Sequence, residues 1–141
     1  LKVWMALQQI GSNGYKKMIA EDIELSELLF ELAKKHPELE AMTQNLSITT
    51  FRYVPYENLP KENVKREKYL NTLNEQLLDK LQQGGEIFLS NAIINERYCL
   101  RGCIVNFRTT KKDIEEIIEI VVREGNKAQQ ELLKEVQLKV K

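Results

Sequence analysis

Residues 86–110 constrain the fold of this chain more than any other part of the sequence. Two apolar runs, Ile87–Leu89 and Tyr98–Val105, flank a polar stretch centred on Asn95 and Glu96. Short apolar runs that are joined by a polar turn are typical of a β-hairpin. The segment therefore predicts two antiparallel strands that are connected at Asn95 and Glu96.

Arg101 lies in the middle of the second predicted strand, close to Leu100 and Ile104 in sequence. A guanidinium among strand residues costs free energy unless it meets an anion or reaches solvent. Two interpretations remain open. The arginine can face solvent beside a local carboxylate such as Glu86 or Glu96. Alternatively, it can bind the carboxylate of a ligand, because its planar fork of donors matches a carboxylate bidentately.

Helical spacing of apolar residues predicts four helical segments. The first covers residues 1–10 and is expected to end at Gly11–Gly14, and the second covers residues 15–35 and should end before Pro37. A third is predicted over residues 61–83, before two glycines, and a fourth starts at Thr109 or Thr110. The apolar stripe of the third segment is expected to comprise Val64, Leu70, Leu73, Leu77, Leu78 and Leu81.

Two further strands are predicted between the second and third helices. Leu39–Met42 is a short strand candidate that is followed by a turn at Thr43–Asn45, and Leu46–Val54 is rich in β-forming residues. With the hairpin, these segments predict an α+β fold: a small, mainly antiparallel sheet of three to four strands with helices packed on one face. The other face of the sheet must meet something else.

Charge and cysteine content exclude several classes of protein. Lys and Arg number 21, as do Asp and Glu, so no basic excess favours nucleic acid or an anionic membrane. No apolar run approaches the ~20 residues of a membrane span. Cys99 and Cys103 lie on the same face of one predicted strand, about 13 Å apart, which is too far for a disulfide. Buried free thiols of a reducing compartment are expected, and a metal site is disfavoured because histidine partners are absent.

Three sequence blocks occur in a recognisable order: LKVWMALQQIG, then LSITTFRYVP, then LNEQLLDKLQQGGEIFLSNAIINERYCLRGCIVNFRTT. Over residues 1–123 the chain resembles the C-terminal small domain of pyridoxal-phosphate-dependent amino-acid decarboxylases. This group includes the aromatic-L-amino-acid, histidine and glutamate decarboxylases of the aspartate-aminotransferase fold type. The resemblance implies a small domain over residues 1–124. It also implies that the second sheet face meets a large domain and the cofactor. Separately, the helical propensity of residues 125–141 predicts a C-terminal helical tail, which is expected to swing because few apolar residues anchor it.

The family binds pyridoxal 5′-phosphate on its large domain, through the lysine of a His-Lys pair. The only histidine here, His36, precedes Pro37. We therefore expect a fragment that is inactive alone, from a cytoplasmic homodimeric decarboxylase whose absent large domain holds the cofactor. No catalytic, cofactor-binding or metal-binding residue is assigned to this chain. The resemblance implies that Arg101 binds the substrate carboxylate, as the arginine at this position does in glutamate decarboxylases.

The substrate and five other polar residues need separate interpretation. FRYVP and YCLRGC resemble the aromatic-amino-acid branch of the family more than the glutamate branch, so the resemblance implies an aromatic amino acid as the substrate. Structural roles are expected for Arg108, Arg52 and His36, whereas Ser90 and Asn91 are expected at the head of the hairpin loop. The alternative function is a free-standing α+β regulatory or interaction module that binds a small carboxylate ligand on its sheet.

Overall fold

A computed structural model describes the backbone of residues 1–139 and the side chains of residues 1–134. Its described part contains three helices and one sheet. The elements in chain order are α1 (Lys2–Lys35), β1 (Leu39–Asn45), β2 (Ile48–Tyr53), α2 (Asn63–Gly84), β3 (Ser90–Ile94), β4 (Arg97–Cys103) and α3 (Lys111–Lys139).

The four strands form one antiparallel sheet in the order β1-β2-β4-β3. All three helices pack on one face of this sheet, where Phe51, Tyr53 and Leu100 are fully buried. Apolar side chains from each helix complete the core, and burial of each contributes about 1.5–3 kcal/mol. The helix residues of this core include Leu25, Leu29, Leu73, Leu77, Ile114 and Val121. The predicted α+β fold is confirmed.

Helix α1 is bent where the sequence predicts its interruption. Gly11 has φ 72° and ψ 167°, a conformation that only glycine adopts without strain, and the helix resumes directly after it. Gly14 is helical, and a Cβ there would lie 2.5 Å from Cγ2 of Ile10. The predicted end of α1 before Pro37 is confirmed, since α1 ends at Lys35.

The two predicted hairpin boundaries require corrections. The turn between β1 and β2 lies at Leu46 and Ser47, and not at residues 43–45, because the Thr43 backbone N–H and hydroxyl bond to Oγ1 of Thr50 across the strand pair. In the second hairpin the turn at Asn95 and Glu96 is confirmed, but its first strand covers residues 90–94 instead of 87–89.

The hairpin turn itself explains why the first strand lies there. Asn95 and Glu96 both have positive φ, which is typical of a two-residue turn of type I′. Such a turn pairs Ile94 directly with Arg97, so the strand runs back from Ile94 to Ser90. One predicted core position is also wrong: Val64 is 76% exposed in the first turn of α2, whereas the leucines of its stripe are buried.

Helix α3 begins with a reciprocal cap and continues through Gly125. The Thr110 N–H donates to Oδ2 of Asp113 at 2.7 Å, which confirms the predicted start. A Cβ on Gly125 would lie 2.8 Å from the Tyr53 ring, so the glycine permits close packing and does not end the helix. The boundary predicted at residue 124 therefore falls inside α3, and the expectation of a swinging tail is wrong over the described residues, because Ala128 and Leu132 are buried in the same core. Residues 140 and 141 of the predicted tail lie outside the described residues.

Candidate functional site

The sheet face opposite the helices carries most of the polar strand side chains. Because side chains alternate along a strand, Leu100 and Gly102 face the helices while Arg97, Cys99 and Arg101 face the other way. We call this second side the polar face. The strand pairings place on it Glu40, Ile48, Thr50, Arg52, Ser90, Ala92, Arg97, Cys99, Arg101 and Cys103.

Arg101 is exposed on the polar face and lies between Thr50 of β2 and Ser90 of β3. Its Nε donates a hydrogen bond to Oγ of Ser90 at 2.9 Å, and the Ser90 hydroxyl lies 3.4 Å from the carbonyl oxygen of Arg101. Within residues 1–134 no carboxylate lies within 4 Å of this guanidinium. The terminal nitrogens of Arg101 are thus available for an external anion.

The local carboxylates that could have neutralised Arg101 are engaged elsewhere or remote from it. Glu86 pairs with Arg123 of α3. Glu96 lies in the hairpin turn, five residues from Arg101 along the chain, and its carbonyl oxygen accepts from Asn71. The interpretation that Arg101 pairs with one of these two acids is therefore wrong for the described chain.

Arg52 lies on the same face but is only 2% exposed. Its Nε donates to Oε2 of Glu40 at 2.6 Å, while Nη1 and Nη2 donate to the two carboxylate oxygens of Glu67 at 2.7 and 3.2 Å. Arg97 adds a 3.0 Å bond to the other oxygen of Glu40 and approaches Glu67 at 3.4 Å. We call Glu40, Arg52, Glu67 and Arg97 the Arg52 cluster; it joins β1, β2 and β4 to α2.

The protonation of the Arg52 cluster follows from its contacts. Burial by itself would lower the pKa of Arg52, but the hydrogen bonds to Glu67 and Glu40 raise it above its ordinary value. The hydrogen bond from Arg52 in turn lowers the pKa of Glu67, against the opposing effect of partial burial. Both groups therefore remain charged at neutral pH. The cluster has a structural role, as expected for Arg52.

Apolar side chains border Arg101 on the polar face. Ile48 pairs with Cys103, two residues beyond Arg101, and both side chains are exposed. The prediction of two buried thiols is thus wrong for Cys103, because it lies at the end of β4, where no side chain covers it, whereas Cys99 lies between the flanking arginines. Burial raises the pKa of the Cys99 thiol. Both cysteines are free, as expected.

The other residues that the sequence marked have local roles. His36 ends α1, and its Nδ1 accepts from the N–H of Glu38 at 3.2 Å. The Arg108 guanidinium lies 5.5 Å from the ring centre of Phe107. Ser90 and Asn91 lie within β3 and not in a loop, and Asn91 pairs with Leu100. Only Ser90 therefore lies beside the candidate site.

A groove of about 560 Å³ lies between α2 and the tip of the second hairpin. Three acids, Glu67, Glu75 and Glu96, line it together with Lys68 and Arg97. Since Glu67 and Arg97 already belong to the Arg52 cluster, the remaining lining carries more negative than positive charge. This groove is a poor site for a carboxylate ligand, in contrast to Arg101.

The described part of the chain contains neither a metal-binding cluster nor a helix that could span a membrane. Residues 1–134 contain no cluster of three histidine, cysteine or acidic side chains arranged around a metal position. None of the three helices is long and apolar enough to span a membrane.

Sequence reasoning missed the partnership of Ser90 with Arg101 and the reach of Glu67 to Arg52. The contact of Ser90 with Arg101 could have been predicted from the sequence. A two-residue turn at Asn95 and Glu96 fixes the register of the hairpin and places Ser90 opposite Arg101. The contact of Glu67 with Arg52 could not be predicted from local sequence, because the two residues belong to different elements, α2 and β2.

The fold and the exposed cation define a class of protein. It is an α+β domain whose polar face carries Arg101, an arginine without a carboxylate partner among residues 1–134. The profile of the family described as the PDXDC1-like second central domain matches residues 29–132, well over half of the chain. The chain belongs to this family.

Curated relatives extend the match to nearly the whole chain. The Arabidopsis thaliana protein named phenylacetaldehyde synthase is 29% identical over 127 residues, which cover 89% of this chain and 24% of the relative. The Bacillus atrophaeus protein named aromatic-L-amino-acid decarboxylase is 29% identical over 124 residues, with 87% and 24% covered. The chain thus spans about a quarter of the length of these relatives.

Solved structures share the fold at lower sequence identity. Mouse CSAD matches with a TM-score of 0.78 and 21% identity, over 89% of this chain and 27% of that structure. Oryza sativa TDC with PLP and tryptamine matches with a TM-score of 0.75 and 16% identity, over 90% and 26%. The expected similarity to a small domain of pyridoxal-phosphate-dependent decarboxylases is confirmed.

Proposed function

We propose that this chain is the C-terminal small domain of a pyridoxal-phosphate-dependent carboxy-lyase that acts on an aromatic amino acid. The observation that carries the proposal is the 29% identity, over 87% of the chain, to a protein named aromatic-L-amino-acid decarboxylase. Relatives named tyrosine decarboxylase and tryptophan decarboxylase, 25% and 26% identical, further support an aromatic substrate. The whole protein would be a carbon–carbon lyase of amino-acid metabolism.

In this proposal Arg101 binds the carboxylate of the substrate. Its exposed guanidinium has terminal donors that no carboxylate of residues 1–134 occupies, and these donors match a carboxylate in geometry and charge. Ile48 and Cys103 beside it would meet an apolar part of the substrate. The residue would orient the amino acid and would not itself transfer a proton.

The cofactor would lie on a large domain that this chain does not contain. The only histidine, His36, is followed by Pro37 and bonds the backbone at the end of α1, so no residue here fits the cofactor-attachment pair. Bound pyridoxal 5′-phosphate would supply the electron sink for decarboxylation. The polar face would contribute one wall of the site, and the chain alone would be inactive.

An apolar stretch of α1 supports docking on a large domain. Val3, Trp4 and Leu7 are 74%, 62% and 47% exposed, and helical segments with so many exposed apolar side chains mark contact surfaces. We also propose a homodimeric whole protein in the cytoplasm, where free thiols such as Cys99 and Cys103 persist. Sedimentation at several concentrations tests the dimer, and a whole protein that stays monomeric throughout would contradict it.

The activity test uses the longer protein that carries this chain. Release of carbon dioxide is measured from tyrosine, tryptophan, dihydroxyphenylalanine and glutamate, and we expect release from aromatic substrates. Release from glutamate alone would overturn the aromatic assignment. Arg101→Ala should raise KM about tenfold or more, because a charged hydrogen-bond donor is lost. The matched control Arg108→Ala removes an exposed arginine away from β4 and should change KM less than about twofold.

The alternative, a free-standing module for small carboxylates, makes the opposite prediction for the chain alone. Calorimetry of the 141-residue chain with amino acids should show no saturable binding if the site needs a large domain. Saturable binding that disappears in Arg101→Ala would favour the module.

A further inference from the structure

Ser90 contacts Arg101 in a way that determines how this arginine can meet an anion. A guanidinium offers a carboxylate two bidentate geometries: side-on, through Nε and one terminal nitrogen, or end-on, through both terminal nitrogens. In this structure Nε of Arg101 already donates to Oγ of Ser90 at 2.9 Å. The side-on geometry is therefore blocked, and the end-on geometry remains.

The register of the hairpin holds the two residues together. Ser90 and Arg101 are directly paired across β3 and β4, and their side chains extend from the same face. The serine side chain is short and half-buried, so it loses little conformational freedom on binding Nε. Its hydroxyl lies 3.4 Å from the Arg101 carbonyl oxygen, which is the direction in which its own proton can be donated.

Arg52 shows the same arrangement with both positions filled. Its Nε is held by Glu40, and its terminal nitrogens grip the two oxygens of Glu67 end-on at 2.7 and 3.2 Å. Arg101 has the Nε partner, but no carboxylate of residues 1–134 lies on its terminal nitrogens. The occupied site of Arg52 is thus an internal example of the geometry that Arg101 would offer to a carboxylate from outside the chain.

We propose that Ser90 is a positioning residue, which fixes Nε of Arg101 so that the arginine binds a carboxylate ligand end-on. The identity of that ligand as the amino-acid substrate rests on the proposed function, whereas the positioning itself does not. Ser90 touches no reacting atom; it acts only through Arg101. Loss of its hydroxyl should free the guanidinium to rotate and should weaken carboxylate binding without unfolding the hairpin.

The first experiment measures the positioning on the 141-residue chain by NMR. The variants Ser90→Val and Ser90→Thr are matched, because both side chains are β-branched and favour strands, and they differ in a methyl group against a hydroxyl. The hydrogen-exchange rate of the Arg101 Nε–H should rise about fivefold in Ser90→Val and stay near the original value in Ser90→Thr. Backbone amide shifts away from β3 should remain unchanged, which excludes unfolding. An unchanged Arg101 rate in Ser90→Val would overturn the proposal.

The second experiment measures catalysis in the longer protein. Ser90→Val should raise KM for the amino acid about fivefold, while Ser90→Thr and the neighbouring Asn91→Ala should leave it near the original value. In an Arg101→Ala background, Ser90→Val should have no further effect, because the residue through which it acts is gone. If Ser90→Val speeds Nε–H exchange but leaves KM unchanged while Arg101→Ala raises KM, the positioning does not contribute to binding and the proposal is overturned. If neither variant changes KM, the positioning stands and the substrate role of Arg101 is overturned.

Discussion

Arg52 and Arg101 lie on the same face of the sheet and on adjacent strands, but their surroundings differ sharply. Arg52 is 2% exposed and binds two carboxylates, whereas Arg101 is exposed and, among the described side chains, binds only the hydroxyl of Ser90. In the first case the chain supplies its own anions, and the arginine ties α2 to the sheet. In the second, residues 1–134 supply none, and the cation is available. The number of carboxylates within reach, and not the residue type or the strand position, separates a structural arginine from a candidate binding residue.

The largest expected effect is the loss of the Arg52 cluster. Arg52→Met keeps the apolar stem but leaves Glu40 and Glu67 without their shared cation. Removing one partner of a fully buried pair costs about 3–5 kcal/mol, and we expect about 2–3 kcal/mol here because both carboxylates retain contact with water. Urea unfolding of the 141-residue chain measures this change.

Arg101→Met is the matched control for that variant. It makes the same substitution on the same face, but at an exposed side chain with no ion pair in the described chain, so the free energy of unfolding should change by less than about 0.5 kcal/mol. Equal losses in the two variants would contradict the division between a structural and an available arginine.

The second prediction concerns the pH dependence of the Arg52 cluster. The hydrogen bond from Arg52 lowers the pKa of Glu67 below its ordinary value of 4.5, so the folded chain binds this proton more weakly than the unfolded chain. The resulting stabilisation is present above pH 4.5 and is lost as the pH falls through the lowered value. The free energy of unfolding should therefore decrease below pH 4.5 more steeply in the original chain than in Glu67→Gln.

The comparison with Glu67→Gln is needed because Asp113 also contributes to the pH dependence of the free energy of unfolding. Hydrogen bonds from Thr110 lower its pKa as well, so it adds its own acid dependence. That contribution is common to the original chain and Glu67→Gln, and it cancels in the difference between them. Parallel curves below pH 4.5 would show that the ion pair between Arg52 and Glu67 adds no stability.

Sequence patterns predicted the elements well because most of the signals are local. The positions of the glycines and Pro37, and the capping pair at Thr110 and Asp113, mark a helix kink, a helix end and a helix start that the structure contains. The turn at Asn95 and Glu96 was equally clear. Gly125 does not interrupt α3, because a glycine inside a helix can also permit close tertiary packing, here against Tyr53.

The candidate site was only partly predictable. Arg101 stood out because a charge within an apolar strand needs an explanation. The sequence could not show whether Arg101 forms an ion pair with Glu86 or Glu96. The positions of these carboxylates depend on tertiary contacts, such as the ion pair of Glu86 with Arg123. The same limitation hid the bond of Arg52 to Glu67, whose partners are brought together only when α2 packs on the sheet.

The smallest expected effect concerns the turns of the two hairpins, each of which supports one of the two arginines. Glu96 in the second hairpin and Leu46 in the first have φ of 65° and 50°, in the left-handed region that disfavours such residues. Glu96→Gly and Leu46→Gly should each raise the free energy of unfolding, by about 0.5–1 kcal/mol after the entropy of the unfolded glycine is offset. Glu96→Gly should also slow exchange of the Arg101 Nε–H, because a firmer turn holds Ser90 opposite Arg101, whereas Leu46→Gly should not.

Glu96→Ala separates backbone strain from charge in this last prediction. It removes the carboxylate but keeps a Cβ in the left-handed conformation, so it should give no gain in stability. The Asn71 side chain bonds the carbonyl oxygen of residue 96 and not its side chain, so this contact is retained in both variants. An equal gain in Glu96→Ala and Glu96→Gly would assign the effect to charge, since the groove beside the turn is already acidic. In that case the turn would not be what holds Ser90 in register with Arg101, and the packing of β3 against β4 would have to do so.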